Sequence, residues 1–151
     1  MKIVVPIQMV PDLVEELVID PNGKSLDSGS IRWILSEFDD HAIEQAILLK
    51  EKMGGEVIIM APAFDDVDDA LFAAAAKGAD RLIKLNGDFT GEVNNYTLLH
   101  LFSPIIKQLR PDIVLTGVQT HHSLDGALGA LLAESMGMPY VGYVSNVSLN
   151  G

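Results

Sequence analysis

Short apolar runs recur along this chain, and each is separated from the next by a longer stretch with helical periodicity. Residues 3–7, 57–61, 81–85 and 113–116 are rich in Ile, Val and Leu. Runs of this length and composition read as strands buried in a parallel sheet. Residues 39–53 form the clearest helix. Ala42, Ile43, Ala46, Ile47, Leu49 and Met53 make an apolar stripe, while Glu44, Gln45, Lys50, Glu51 and Lys52 fall outside it. Ser36 or Asp39 suits its N-cap, and Gly54-Gly55 ends it. A second helix starts at Asp65 or Asp66, runs through Lys77 and stops at Gly78. A third covers residues 94–109, with Asn94 or Asn95 as cap and Pro104 as an expected kink or restart. A fourth covers residues 127–136 and is closed by Gly137 and Pro139.

Strand and helix alternate, which predicts an α/β fold with a mostly parallel sheet covered on both faces. Right-handed crossovers make such a sheet doubly wound. Residues 140–147 read as a last strand. Val10-Pro11-Asp12 reads as a turn, and residues 17–20 with 30–35 read as a small hairpin or excursion around Pro21-Asn22-Gly23. No repeat or linker interrupts residues 1–151, so the chain reads as one domain. It stops just after the last predicted strand, which is the pattern of a fragment or of a domain that continues.

Composition narrows the function. The net charge of −11 is spread along the chain and repels a polyanion, so nucleic acid is an unsuitable partner. A single phosphate is different, because amides at a helix start hold it without a basic patch. The absence of cysteine removes disulfides, thiolate metal sites and a cysteine nucleophile. No apolar run approaches the roughly 18 residues of a membrane helix, and the N-terminus lacks the form of a signal peptide. Membrane insertion is therefore not expected, and a cytoplasmic setting is.

In a doubly wound sheet the ligand lies beyond the carboxyl ends of the strands, where strand order reverses. The first strand ends at Pro6, Ile7, Gln8 and Met9. The loop after the strand at 113–116 reads Gly117-Val-Gln-Thr-His-His-Ser-Leu-Asp-Gly126 and leads straight into a helix of small residues. It is the expected phosphate cradle, with the phosphate over residues 123–126 at the helix start. His121-His122 lacks the further ligands a metal needs. Asp65, Asp66, Asp68 and Asp69 suit a helix N-terminus, and Trp33 suits packing or an interface. No Walker loop, dinucleotide fingerprint or nucleophile elbow is present. Nucleophile, base and orienting residue cannot be nominated together, so the residues favour binding over catalysis.

Five segments, in order, resemble one family. The opening MKIVVPIQMVPD, Phe38-Asp39 with LLKEKMGGEV, AAAKGADR at 74–81, RPDIVLTGVQT at 110–120 and LLAESMGMPYVGYVSNVSLNG at 131–151 are similar to segments of electron-transfer flavoprotein β subunits. The resemblance implies a Rossmann-like fold of the adenine nucleotide α hydrolase-like kind. It also implies a non-catalytic subunit that binds AMP, or FAD, and pairs with an FAD-bearing α subunit. That subunit takes electrons from acyl-CoA or other dehydrogenases, so a heterodimer is expected, with a homodimer as the other arrangement. By the same resemblance the nucleotide lies against Pro6, Gln8, Ser36, Phe38, Asp39, Pro62, Gly117, Gln119, Thr120, Ser123, Asp125, Gly126 and Gly129. The family's Asn-Pro before Phe38 is Ser36-Glu37 here, its lysine after strand one is Gln8, and its acidic loop holds His122, Ser123, Leu124 and Ala127. The alternative is a stand-alone nucleotide-binding regulatory module of the universal-stress type, which needs a loop ending in Gly-Ser or Gly-Thr where this chain has Gly129-Ala130.

Overall fold

A computed structural model describes residues 1–27, 29, 31–87, 89, 93–121 and 123–149. Four parallel strands form the central sheet: β1 (Lys2–Pro6), β4 (Glu56–Pro62), β5 (Arg81–Leu85) and β6 (Ile113–Val114), in the order β5-β4-β1-β6. Two further strands, β2 (Met9–Pro11) and β3 (Trp33–Leu35), pair antiparallel beside it. The helices are α1 (Glu37–Met53), α2 (Val67–Lys77), α3 (Asn95–Leu109) and α4 (Leu128–Met136). The fold is the expected α/β, Rossmann-like arrangement.

The two-residue period of a strand explains both layers. Ile3 and Val5 of β1 and Ile7 just beyond it, with Val57, Ile59 and Ala61, belong to the layer packed under α1 and α2. Val4, Ile58 and Met60 point to the other face and meet Leu98, Phe102 and Ile106 of α3 and Leu128 and Leu132 of α4. Each fully buried aliphatic or aromatic side chain contributes about 1.5–3 kcal/mol relative to exposure. With both faces apolar, neither layer of helices can leave without exposing the sheet.

Local signals set most boundaries. Asn94 Oδ1 accepts from Thr97 N–H at 3.0 Å and caps α3. Gly137 takes a left-handed φ of +64° and closes α4. The assigned α3 runs on through Pro104 without a restart. Two caps differ from expectation. Asp66 occupies the N-cap of α2 at φ +60°, and its side chain makes no capping bond. Ser36 is the N-cap of α1 but likewise leaves the helix amides alone.

Three expectations are corrected. The turn expected at Val10-Pro11-Asp12 gives way to a strand over its first two residues, because Met9, Val10 and Pro11 pair with Leu35, Ile34 and Trp33. The hairpin read at 17–35 therefore divides: 33–35 joins β2, and among the described residues the bridge Ile19 to Leu26 is what remains of pairing inside the excursion. Trp33 stacks on Phe64, with ring centroids 5.6 Å apart. Residues 140–147 form no strand. Tyr143 has a left-handed φ of +55°, which breaks extended backbone. The segment instead runs back over α1, where Gln45 Nε2 donates to Val147 O at 3.0 Å. Among the described residues no helix is long and apolar enough to cross a membrane.

Candidate functional site

The chain lays β4 and β5 on one side of β1 and then returns to lay β6 on the other. Strand order therefore reverses between β1 and β6. Gln8 follows one strand and Gly117 the other, so both lie at the crevice where ligands of such sheets bind.

A single carboxylate fastens the two ends together. Asp39, in the first turn of α1, accepts from Gln8 N–H at Oδ2 and from Gly117 N–H at Oδ1, both at 2.9 Å. The Ser36 hydroxyl also donates to it. Asp39 is 2% exposed. Burial raises its pKa from 3.8 to about 7, against the pull of the three hydrogen bonds. A side chain at Gly117 would collide with Asp39 Oδ1 and with the Phe38 Cβ, which is why glycine stands there.

The loop from Gly117 to α4 is tied down from three directions. His121 Nε2 donates to Pro11 O at 2.9 Å, joining the loop to β2. Thr120 and Ser123 form a bridge, with Ser123 N–H to Thr120 O at 3.0 Å. Buried Asn95 donates its side-chain amide to Ser123 Oγ at 2.9 Å and to Asp125 Oδ1, which fixes the loop to α3. Gly126 sits at φ +58°, and a Cβ there would lie 2.7 Å from Val118 O. Its lack of a side chain thus serves the loop's own backbone.

These bonds change the expected cradle. Ser123 N–H goes to Thr120 O, and Gly126 N–H approaches Ser123 O at 3.5 Å. The amides of Leu128, Gly129 and Ala130 precede the first intrahelical bond, from Leu131 to Ala127 O. They are the helix-start donors that the loop does not use. The Asp125 carboxylate already lies at this helix start, accepting from Ser123 Oγ at 3.2 Å and from Ala127 N–H at 3.4 Å. It takes part of the dipole that a phosphate would use. Thr120 Oγ1 is buried with no hydrogen-bonding partner among the described residues.

A cleft of about 300 Å³ opens beside the loop, lined by Phe38, Val118, Gln119, Tyr143, Val144 and Ser145. A second hollow of about 360 Å³, between Trp33 and the start of α2, lies away from the switch. Among the described residues no group of three or more His, Asp or Glu side chains converges to hold a metal. His122 lies outside the described residues.

Comparison with known proteins decides the family. A profile described as "Electron transfer flavoprotein domain" matches residues 25–151. The chain belongs to that family. The electron transfer flavoprotein subunit beta of Clostridium acetobutylicum is 32% identical over 151 residues, covering 100% of this chain and 58% of that protein. The corresponding subunit of Bacillus subtilis is 29% identical over 138 residues, covering 91% and 53%. Subunit CarD of the caffeyl-CoA reductase-Etf complex of Acetobacterium woodii is 30% identical over 151 residues, covering 99% and 57%. The chain thus spans less than two thirds of the length of these relatives.

In this electron transfer flavoprotein domain, Gln8, Ser36, Asp39 and Gly117 come together at the switch. Phe38 and Gln119 line the cleft beside it. Thr120, Ser123, Asp125 and Gly126 build the adjoining loop, and Gly129 stands in the first turn of α4. Pro6 ends β1, and Pro62 ends β4 on the side of β1 away from β6. Sequence reasoning missed Asn95 and Tyr143. Asn95 was legible only as a cap, since nothing in the string says that Asn94 takes that role and turns its neighbour inward. Tyr143 was read as a strand residue.

Proposed function

We propose that this chain is the nucleotide-holding part of a β-type electron transfer flavoprotein subunit. It binds an adenine nucleotide, AMP or the adenine half of FAD, at the switch between β1 and β6. It pairs with an FAD-bearing α-type subunit that carries electrons from acyl-CoA or other dehydrogenases. The flavin of that partner supplies the redox chemistry, so this chain holds and pairs rather than catalyses. It works in the cytoplasm.

The observation that carries this reading is the joining of Gln8 and Gly117 through Asp39 at the crevice, beside a cleft of nucleoside size. The residues fit the adenosine part well. Phe38 offers an aromatic surface, Gln119 an amide and Ser145 a hydroxyl. The phosphate is less well served, because residues 117–129 contain no lysine or arginine and Asp125 stands at the helix start. Binding rests on the amides of residues 128–130. An affinity in the micromolar range, about −8 kcal/mol, suits such a site. The family match disfavours a stand-alone stress-type module.

Co-expression with a flavin-bearing α-type subunit tests the pairing. The expected result is a one-to-one complex that carries flavin absorbance, while the chain purified alone is colourless. Recovery of the chain free of that subunit, or a stoichiometric flavin spectrum in the chain alone, would contradict it.

A further inference from the structure

The segment after α4 was expected to add a strand to the sheet, and instead it borders the crevice. Its central residue, Tyr143, holds a left-handed φ of +55° without being glycine. Such backbone costs energy and persists where the surroundings require it. The residue is 76% exposed, so burial in the core does not explain the strain. What the conformation achieves is placement. Tyr143 lines the cleft formed with Phe38, Val118 and Gln119, and its hydroxyl lies 3.5 Å from where a Cβ on Gly126 would stand.

The lining defines the occupant. Phe38 comes from the first turn of α1 and Tyr143 from the C-terminal segment, so aromatic groups enter from two separate elements. Val118 and Val144 add aliphatic contact. Gln119 and Ser145 are the polar side chains, and both are neutral. A cleft with π-surfaces, an amide, a hydroxyl and no charged side chain suits a flat, uncharged heteroaromatic ring with hydrogen-bonding edges. The cleft is shallow and open, with about 300 Å³ of room for a nucleoside-sized group. Any charged part must leave the cleft, and the position of the Tyr143 hydroxyl beside Gly126 points the exit towards α4.

From this placement we infer that Tyr143 is a specificity-determining residue that stacks on the base of the bound nucleotide. The inference rests on the nucleotide-binding reading above and adds to it a residue and a purpose for the segment after α4. Stacking recognises the base and is indifferent to the phosphate.

Tyr143→Gly is the informative substitution. Glycine adopts the left-handed backbone without strain, so the fold keeps its shape and loses only the ring. Tyr143→Phe keeps the ring and drops the hydroxyl. Adenosine, AMP and ribose 5-phosphate are each titrated into the isotope-labelled protein and followed by amide shifts and calorimetry. Tyr143→Gly should weaken adenosine and AMP by about tenfold or more, the effect of losing one stacked aromatic. Ribose 5-phosphate should bind all three proteins alike, Tyr143→Phe should bind AMP like wild type, and the melting temperature of Tyr143→Gly should not fall. If wild type binds AMP and Tyr143→Gly binds it equally well, the stacking role is overturned while the nucleotide site stands. Equal loss for ribose 5-phosphate would overturn base recognition in favour of a general role in shaping the loop. If wild type binds none of the three, the nucleotide reading fails and this inference fails with it.

Discussion

Asp39 poses a contest between burial and hydrogen bonding, and pH resolves it. In the unfolded chain its carboxyl titrates at 3.8; in the fold, desolvation raises that to about 7. The native state therefore keeps the proton to higher pH than the unfolded state does. Stability from the protonated carboxyl is complete below about pH 4 and is lost as pH rises through about 7. The gap between the two values sets a ceiling of about 4 kcal/mol on the loss. Asp39→Asn removes the titration. Its amide oxygen can accept from Gln8 N–H or from Gly117 N–H, and its NH2 then faces the other, at a pH-independent cost of about 1–3 kcal/mol. Urea unfolding of both proteins from pH 4 to pH 8 gives the difference in stability, in which the titration of the remaining carboxylates cancels. The variant should be the less stable protein at pH 4. It should gain on wild type by up to about 4 kcal/mol as pH rises, with no further change above pH 8. A difference independent of pH would refute the argument. So would a wild type that gains on the variant as pH rises, since hydrogen bonding would then outweigh burial.

Other consequences are simpler to check. Phe102 is fully buried between α3 and the sheet, and Phe102→Ala should cost about 3–5 kcal/mol in chemical denaturation. Asp125→Asn removes a negative charge from the start of α4. AMP should then bind several-fold tighter, by on the order of 1 kcal/mol for like charges in a largely solvated site, while adenosine binds unchanged. Val14 and Ile19 stand exposed on the excursion between β2 and β3, and such apolar patches mark interfaces. Light scattering of the Val14→Ser, Ile19→Ser double variant should show loss of association with partner or second copy, with the melting temperature unchanged.

The sheet was legible because burial leaves a mark on composition. Residues 81–85 were read as a strand with the observed bounds, and β1 and β4 to within one residue at each end. The long helices were legible from apolar spacing and from Gly54, Gly78 and Gly137 at their ends. What failed was decided at a distance. The pairing of 9–11 with 33–35 spans more than twenty residues of chain, and a turn-like Val-Pro-Asp gives no sign of it. The alternating residues 140–147 carry a strand pattern, and the conformation of Tyr143 overrides it. The switch-point loop could be nominated from topology. The way its amides are spent could not, because Asn95 and Asp125 meet only through the packing of α3 beside α4.

The placement of the ligand is tested most directly by mapping AMP onto the labelled protein. Amide shifts on titration should concentrate at Gln8, Phe38, Gly117, Gln119 and the first turn of α4 at residues 128–130. Shifts confined to the start of α2 around Asp66 and Asp69, or no shifts at saturating AMP, would contradict a nucleotide held between β1 and β6.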